Sequence, residues 1–468
     1  VKGSKEIEIT GLCENSNLAS PGNLFIAKKG RSLDGAHFIS EAIAAGATCI
    51  LTDLYDPFLD VTQLIHPNVR EIEGILAARY YHDPSNELKV VGVTGTNGKT
   101  TTSFLIQHML QQMEMQTGLI GTIDWIIGQH RFQGRRTTPD VITCHKLLRE
   151  MVIAGCKAAV MEVSSHGLDQ KRVERIDFDV AVFTNLSEEH LDYHGTMETY
   201  AKAKSQLFEH LTADKIAIFN ADDPTCFETK AHILTYGIDH QADLMATELK
   251  LSGKKSQFLA CFKGKSIPIT SHLIGRFNVS NLLAAIATCL SLGYSLEQCA
   301  RSLKTFQGTR GRLERVKNKL NLEIFVDFAH SPDALENVLK TIQEIKKGKL
   351  IAVFGAGGDR DREKRPLMGK IASQLADFSI ITSDNPRSED PLAIVEEVVS
   401  GFERSIPLVE LDRKKAIEKA IAFAEAGDVI LIAGKGHEAT QEFAHRVIPF
   451  DDTEIVREIC REKEDICG

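Results

Sequence analysis

Short apolar runs rich in β-branched residues, separated by helical patterns, recur through most of this 468-residue chain. From 88 to about 310 they read LKVVGVTG, KAAVMEVSS, DVAVFTN and KIAIFN; from about 310 onward, LEIFVDFAH, KLIAVFGAGGDR, DFSIITSDNPR and GDVILIAGKGHE. Runs of this kind carry no polar face, so each predicts a strand buried on both sides in a parallel sheet covered by helices. The fold class is therefore α/β. Residues 240–272 depart from the alternation and read as antiparallel hairpins. Ahead of residue 88, Asn23–Ala27 and Thr48–Thr52 predict short strands around a helix-like Phe38–Ala45, and the turn YYHDPSNEL closes the block. The length exceeds one ordinary domain. The pattern divides it into three, at 1–87, 88–309 and 310–468, with no internal repeat.

Composition excludes several classes. Apolar residues make up 43% and charged residues 25%, as in chains that bury large cores. The formal net charge of −9 argues against a nonspecific grip on nucleic acid or on an anionic membrane. No apolar run reaches the ~18 residues of a membrane-spanning helix. VKGSKEIEIT lacks the apolar core of a signal peptide, and a start at Val1 is read as a trimmed one. None of the ten cysteines forms a C-x-x-C pair, so they are expected as small buried hydrophobes in a reducing cytoplasm.

The sharpest chemical signal is VVGVTGTNGKTTTS. A strand, a glycine-rich turn and a helix starting near Lys99 would close backbone N–H groups around phosphate, with the helix dipole behind them. Lys99 would reach the outer phosphates and Thr100 would offer a hydroxyl to Mg²⁺. A strict G-x-x-x-x-G-K-[ST] motif needs glycine at position 93, which here is Val93. Glu162, at the carboxyl end of the next strand, is a candidate oxygen ligand. His190 lies behind another strand end. Asp192–Gly195 has the D-x-x-G spacing of a GTPase switch, but no N-K-x-D motif reads guanine, and NKLN at 318–321 fails it. In open α/β sheets ligands bind outside the carboxyl ends of strands. The last four strand ends would bring Asp327, His330, Arg360, Asp384, Arg387, Lys435, His437 and Glu438 to one edge, a mixture of charges suited to a zwitterion.

Taken in order, GTNGKTTT, MEVSSHGLDQKRV, TNLSEEHLDYHG, GRFNVSNLLAA, TRGRLERV, DFAHSPDALENVL, FGAGGDRDREKRPLMG, DNPR and GKGHE resemble the Mur ligase family across essentially the whole chain. The resemblance implies a small UDP-binding α/β domain, a central P-loop parallel-sheet ATPase domain and a Rossmann-like C-terminal domain that takes an amino acid and closes on the others. It implies ATP-dependent amide synthesis in the cytoplasm by a monomer, with small-molecule partners and neither nucleic acid nor membrane insertion. ATP contacts would come from Gly95, Thr96, Asn97, Gly98, Lys99, Thr100, Thr101, Asn278, Asn281, Arg312, Asp327 and His330. Thr100, Glu162, His190 and Lys204 would form the Mg²⁺ site, with Lys204 of TYAKAKSQLF as an N-carboxylysine and Lys202 pointing elsewhere. Lys99, Lys204, His190 and Glu162 would carry catalysis.

For a UDP-MurNAc-L-Ala-D-Glu acceptor, Ser16, Thr137, Thr138, Ser164, Gln170 and Arg172 match. The family's Asp-Ser-Arg ahead of PGDLFVA is here Asn15-Ser16-Asn17, with both charges gone. For the amino acid, Arg360, Asp384, Asn385, Pro386, Arg387, Gly434 and Glu438 match. D-N-P-R resembles the version that adds meso-diaminopimelate rather than lysine. Arginine grips a distal carboxylate bidentately and repels a lysine ammonium; Glu438 would pair with the distal ammonium. A folylpolyglutamate synthetase is the alternative ligase, against which TTPD and D-N-P-R speak. A non-catalytic scaffold is opposed by the intact Lys99, Thr100, Glu162, His190 and Lys204, and a motor by the lack of any partner motif.

Overall fold

The computed structural model describes residues 1–30, 33–404 and 406–467. A four-stranded parallel sheet comes first, formed by β1 (Gly11–Cys13), β2 (Asn23–Ile26), β3 (Cys49–Thr52) and β4 (Thr62–Ile65) in sequential order. The helix-like stretch folds as Ile39–Ala44.

An eleven-stranded sheet follows, made of β5 (Lys89–Thr94), β6 (Thr117–Ile120), β7 (Asp124–Ile127), β8 (His130–Gln133), β9 (Ala158–Glu162), β10 (Val180–Phe183), β11 (Ile216–Asn220), β12 (His232–Gly237), β13 (Leu244–Leu251), β14 (Ser256–Phe262) and β15 (Lys265–Ser271). Its order is β15-β14-β13-β12-β11-β10-β5-β9-β6-β7-β8. The middle is parallel and both flanks are antiparallel. The β13–β15 hairpins occupy the stretch expected to hold them. The β6–β8 meander lies outside the sequence reading.

The parallel strands are buried on both faces, as their composition requires. Val91 and Val93 point to a core under the helices Lys99–Gln112 and Arg276–Ser291, and Val90 points to the opposite one, under Val141–Ile153 and Met197–Glu209. Each such side chain contributes about 1.5–3 kcal/mol on burial. This explains why Val93, rather than a glycine, opens the phosphate loop: its side chain still belongs to the core.

The last sheet comprises β16 (Glu314–Val316), β17 (Glu323–Asp327), β18 (Leu350–Phe354), β19 (Phe378–Ile381), β20 (Leu408–Val409) and β21 (Val429–Ala433). Its order is β16-β17-β21-β18-β19-β20, and only β16 is antiparallel. Helices Pro332–Ile345, Lys364–Leu375 and Pro391–Val399 cover one face; Arg413–Phe423 and Asp452–Cys467 cover the other. A separate hairpin, β22 (Thr440–Phe443) and β23 (Arg446–Pro449), follows β21. Of the nine cysteines whose side chains are described, seven are buried, Cys261 is partly exposed and Cys226 is exposed. Cys467 lies outside the described side chains. Among the described residues, no helix is long and apolar enough to cross a membrane.

Candidate active site

A cleft of about 1010 Å³ runs from the phosphate loop to the strand ends of the last sheet. Its wall includes Thr96–Thr101, Thr137, Glu162, His190, Asn278, Asn281, Arg312, Asp327, His330, Arg360, Asp384, Asn385, Arg387, Gly434 and Glu438. Two sheets thus direct their carboxyl edges at one space.

At its floor, β5 ends in a loop that enters the helix Lys99–Gln112 through Gly98, at φ +84°. A Cβ there would lie 2.4 Å from Asn281 Oδ1, so only glycine fits. Asn281 Oδ1 also accepts from Thr102 Oγ1, at 3.3 Å, and its amide donates to Asn278 Oδ1, at 3.1 Å. This fastens the loop to the helix Arg276–Ser291. The Lys99 amine donates to the carbonyls of Gly95 and Thr96, both at 2.8 Å. Burial pulls its pKa below the usual lysine value, against the opposing pull of Glu189 and Glu162.

Glu162 is fully buried at the end of β9. Its carboxylate accepts from Thr100 Oγ1 at 2.8 Å and from the Thr122 hydroxyl and N–H, both at 2.9 Å. A carboxylate beside a hydroxyl is a hard oxygen donor set and fits Mg²⁺, which takes few protein ligands and leaves room for phosphate. His190, at φ +58°, packs edge-on to His166 with centroids 4.8 Å apart. Burial first lowers His190 to about 4. Among the described residues no three His, Cys, Asp or Glu side chains form a metal cage.

Lys204 sits on the buried stripe Tyr200, Ala203, Lys204, Leu207 and Phe208 of the helix Met197–Glu209, whereas Lys202 is exposed. A lysine at a stripe position is forced inward by the helical period. Its amine lies over the Tyr200 ring, 4.5 Å from the centroid, and donates to Gly95 O at 2.8 Å. Burial, then Lys99, hold its pKa well below the usual lysine range.

Arg312 donates to Thr100 Oγ1 at 3.3 Å and stacks on Phe328. The Asp327 carboxylate accepts the N–H groups of Leu313 and Ala329, at 2.5 and 2.8 Å. His330 is exposed, 3.8 Å from Glu189.

At the other end, β19 runs into Thr382–Pro386, which is buried throughout, and then Arg387 adopts φ +51°. The buried Lys435 amine bonds Asn385 Oδ1 at 2.9 Å and Glu438 Oε2 at 3.0 Å; Asn385 donates to the same Glu438 oxygen at 2.8 Å. Asp384 Oδ2 is buried without a hydrogen-bond partner, against Gly434 at φ +114°. Arg360 is exposed at the rim.

The acceptor set divides. Thr138 donates to the Glu162 carbonyl at 2.8 Å and accepts the Ser164 N–H at 2.9 Å; Arg172 donates to Thr138 O at 2.9 Å and to Gln170 at 2.7 Å. These four surround the end of β9. Ser16 opens the short 3-10 helix Ser16–Leu18, between β1 and β2, and donates to Glu41 at 2.9 Å.

Three residues were not singled out from the sequence, although Glu189 and Asp333 fall within TNLSEEHLDYHG and DFAHSPDALENVL. Glu189 is buried between His190 and His330. Asp333 Oδ2 accepts from Asn97, at 2.8 Å, and from Ser187, at 2.9 Å. Glu442 pairs with Arg387. Each has a partner distant in sequence, His330 for Glu189, Asn97 and Ser187 for Asp333 and Arg387 for Glu442, which a linear motif does not display.

Three family signatures match in sequence order: the Mur ligase family catalytic domain at 8–88, the Mur ligase middle domain at 93–289 and the Mur ligase glutamate ligase domain at 311–436. The chain belongs to the Mur ligase family. Within it, the chain is similar to UDP-N-acetylmuramoyl-L-alanyl-D-glutamate–2,6-diaminopimelate ligases. The Chlamydia felis protein is 44% identical over 97% of this chain and 94% of its own length, and that of Bacillus cereus 43% over 96% and 94%. A solved ligase of the same name is 34% identical, with TM-score 0.69, covering 97% of this chain and 95% of its own. MurF from Acinetobacter baumannii, at 21% identity and TM-score 0.70 over 97% and 94%, shares the fold.

Proposed function

We propose that this protein uses ATP to join meso-2,6-diaminopimelate to UDP-MurNAc-L-Ala-D-Glu in the cytoplasm, giving the UDP-MurNAc-tripeptide, ADP and phosphate. The observation that carries this reading is the single cleft with a phosphate loop at one end and Asp384, Asn385, Arg387 and Glu438 at the other. The names of the relatives supply the acceptor and the amino acid.

The acceptor's D-Glu γ-carboxylate attacks the γ-phosphate of ATP, ADP leaves, and an acyl phosphate forms. The diaminopimelate amine attacks that carbonyl, phosphate departs, and the amine loses its proton. Phosphoryl transfer of this kind depends on positioning and charge neutralisation. Lys99 and the N–H groups of the 95–101 loop hold the outer phosphates. Asn278, Asn281, Arg312, Asp327 and His330 hold the rest of the nucleotide. Thr100, Glu162, His190 and Lys204, the last as an N-carboxylysine, would hold Mg²⁺, which supplies charge neutralisation when bound. Ser16, Thr137, Thr138, Ser164, Gln170 and Arg172 bind the UDP-muramyl dipeptide. Arg387 takes the distal carboxylate of diaminopimelate and Glu438 its distal ammonium, while Arg360, Asp384, Asn385, Pro386 and Gly434 complete the amino-acid pocket. The three domains are 1–87 for UDP, 88–309 for ATP and 310–468 for the amino acid, in one monomer.

Phosphate release from ATP in the presence of UDP-MurNAc-L-Ala-D-Glu tests this. Release is expected with meso-diaminopimelate and not with L-lysine. Equal release with lysine would overturn the amino-acid assignment; none with either would favour a scaffold.

A further inference from the structure

The reaction above uses Arg387 but leaves open what aims it. An arginine at φ +51° is unusual, because a left-handed conformation costs a non-glycine residue about 1–2 kcal/mol and persists only where its surroundings enforce it. The hairpin β22–β23 provides the enforcement, although none of its described residues lines the cleft. Gln441 donates to Asp384 O at 2.8 Å, and the Glu442 N–H donates to Asn385 Oδ1 at 3.0 Å. The Arg387 N–H donates to Glu442 O at 3.0 Å, and its Nε–H donates to Glu442 Oε2, also at 3.0 Å. Glu442 therefore grips both the backbone and the side chain of the same arginine.

We infer that Glu442 is a positioning residue for amino-acid selection, holding Arg387 so that the free edge of its guanidinium meets the ligand's distal carboxylate. This rests on the functional reading given above. A guanidinium has five N–H bonds. Nε–H is taken by Glu442, and one Nη1–H by the Gly358 carbonyl at 2.7 Å. Three remain, one on Nη1 and two on Nη2, and one from each nitrogen supplies the end-on edge that binds a carboxylate through two parallel hydrogen bonds. Glu442 removes the competing edge and the rotamer freedom of a long side chain. Its own side chain is 45% exposed, so its charge is screened by water and its contribution lies in aim. A glutamine, which keeps an acceptor oxygen, serves nearly as well; an alanine does not.

The test is steady-state kinetics of the full chain. Glu442→Ala is expected to raise KM for meso-diaminopimelate about tenfold, with kcat within twofold and KM for ATP unchanged. The same change should shrink the diaminopimelate-over-lysine preference. Glu442→Gln should stay within about threefold of wild type. In an Arg387→Ala background, Glu442→Ala should add nothing. An unchanged KM for diaminopimelate in Glu442→Ala, an equal rise in KM for ATP, or a full additional loss in the Arg387→Ala background would each overturn the inference. A wild-type protein inactive with diaminopimelate would overturn the functional reading and this inference together, whereas an active wild type with an indifferent Glu442→Ala variant overturns this one alone.

Discussion

Lys204 places an amine where a solvated charge would be ordinary: inside an apolar helix stripe, 2.8 Å from a phosphate-loop carbonyl. Burial favours the neutral amine, the form that reacts with carbon dioxide to give a carbamate anion and a proton. Lys204→Ala is expected to lose more than about 100-fold in activity, beyond the cost of losing an outer-shell metal partner. Added formate or acetate should restore part of it, and full activity without additive would rule out the carboxylated lysine. For Arg387→Ala or →Lys the expected cost is ~2–4 kcal/mol in kcat/KM toward diaminopimelate, the range for removing one partner of a buried charge pair. ATP affinity should hold, and undiminished efficiency would refute the assignment. His437 titrates differently. Burial, then Arg312 and Arg310, lower it to about 3. The unfolded chain takes up its proton near pH 6.5 and the folded one does not, so stability is full above that pH. It falls as the pH drops from about 6.5 toward 3, by at most about 1.4 kcal/mol per unit. Melting curves at pH 7 and pH 5 should show a smaller loss for His437→Asn than for wild type; equal losses would contradict this.

At the scale of elements, the buried pair Arg413–Asp452 ties the first residues of two helices together. Arg413 donates to both Asp452 oxygens at 2.7 Å and to the Ala433 carbonyl at 2.9 Å, at the end of β21. Both side chains are 0% exposed. Asp452→Ala leaves a buried guanidinium uncompensated and should cost about 3–5 kcal/mol, read by thermal or urea unfolding. Replacing both by apolar residues should cost less than that single change, and a larger loss would contradict it. None of this pairing was legible in the sequence, since a lone arginine in DRKKAIEK reads as a surface charge. What was legible follows from composition: doubly buried parallel strands must be continuously apolar, so β5, β9, β10, β17, β18, β19 and β21 announced themselves. The strand–loop–helix around the glycine-rich turn was equally plain, because Gly95, Gly98 and Lys99 fall within five residues. The β6–β8 meander was not, since the exposed His130–Gln133 offers no apolar alternation. Nor was the grip of β22 on Arg387, which joins residues 55 apart.

At the scale of the whole molecule, the cleft has walls from two sheets, and Asp333 spans them. It sits on the first turn of the helix Pro332–Ile345, and its Oδ2 accepts from Asn97 of the phosphate loop and from Ser187 beyond β10. One carboxylate oxygen thus connects the unit proposed to bind the amino acid to the loop proposed to hold ATP. Hydrogen bonds to a charged group are each worth about 1.5–3 kcal/mol, enough to bias a hinged equilibrium whose states differ by a few. Asp333→Ala should therefore raise KM for ATP and lower kcat together, as closing-contact variants do. The combined loss in kcat/KM should be about 10- to 100-fold, the kinetic equivalent of one such bond. Asp333 is only partly buried, so the melting temperature should move little. Small-angle scattering should report a larger radius of gyration for the variant in the presence of a non-hydrolysable ATP analogue. If kinetics and scattering both match wild type, Asp333 does not couple the two walls.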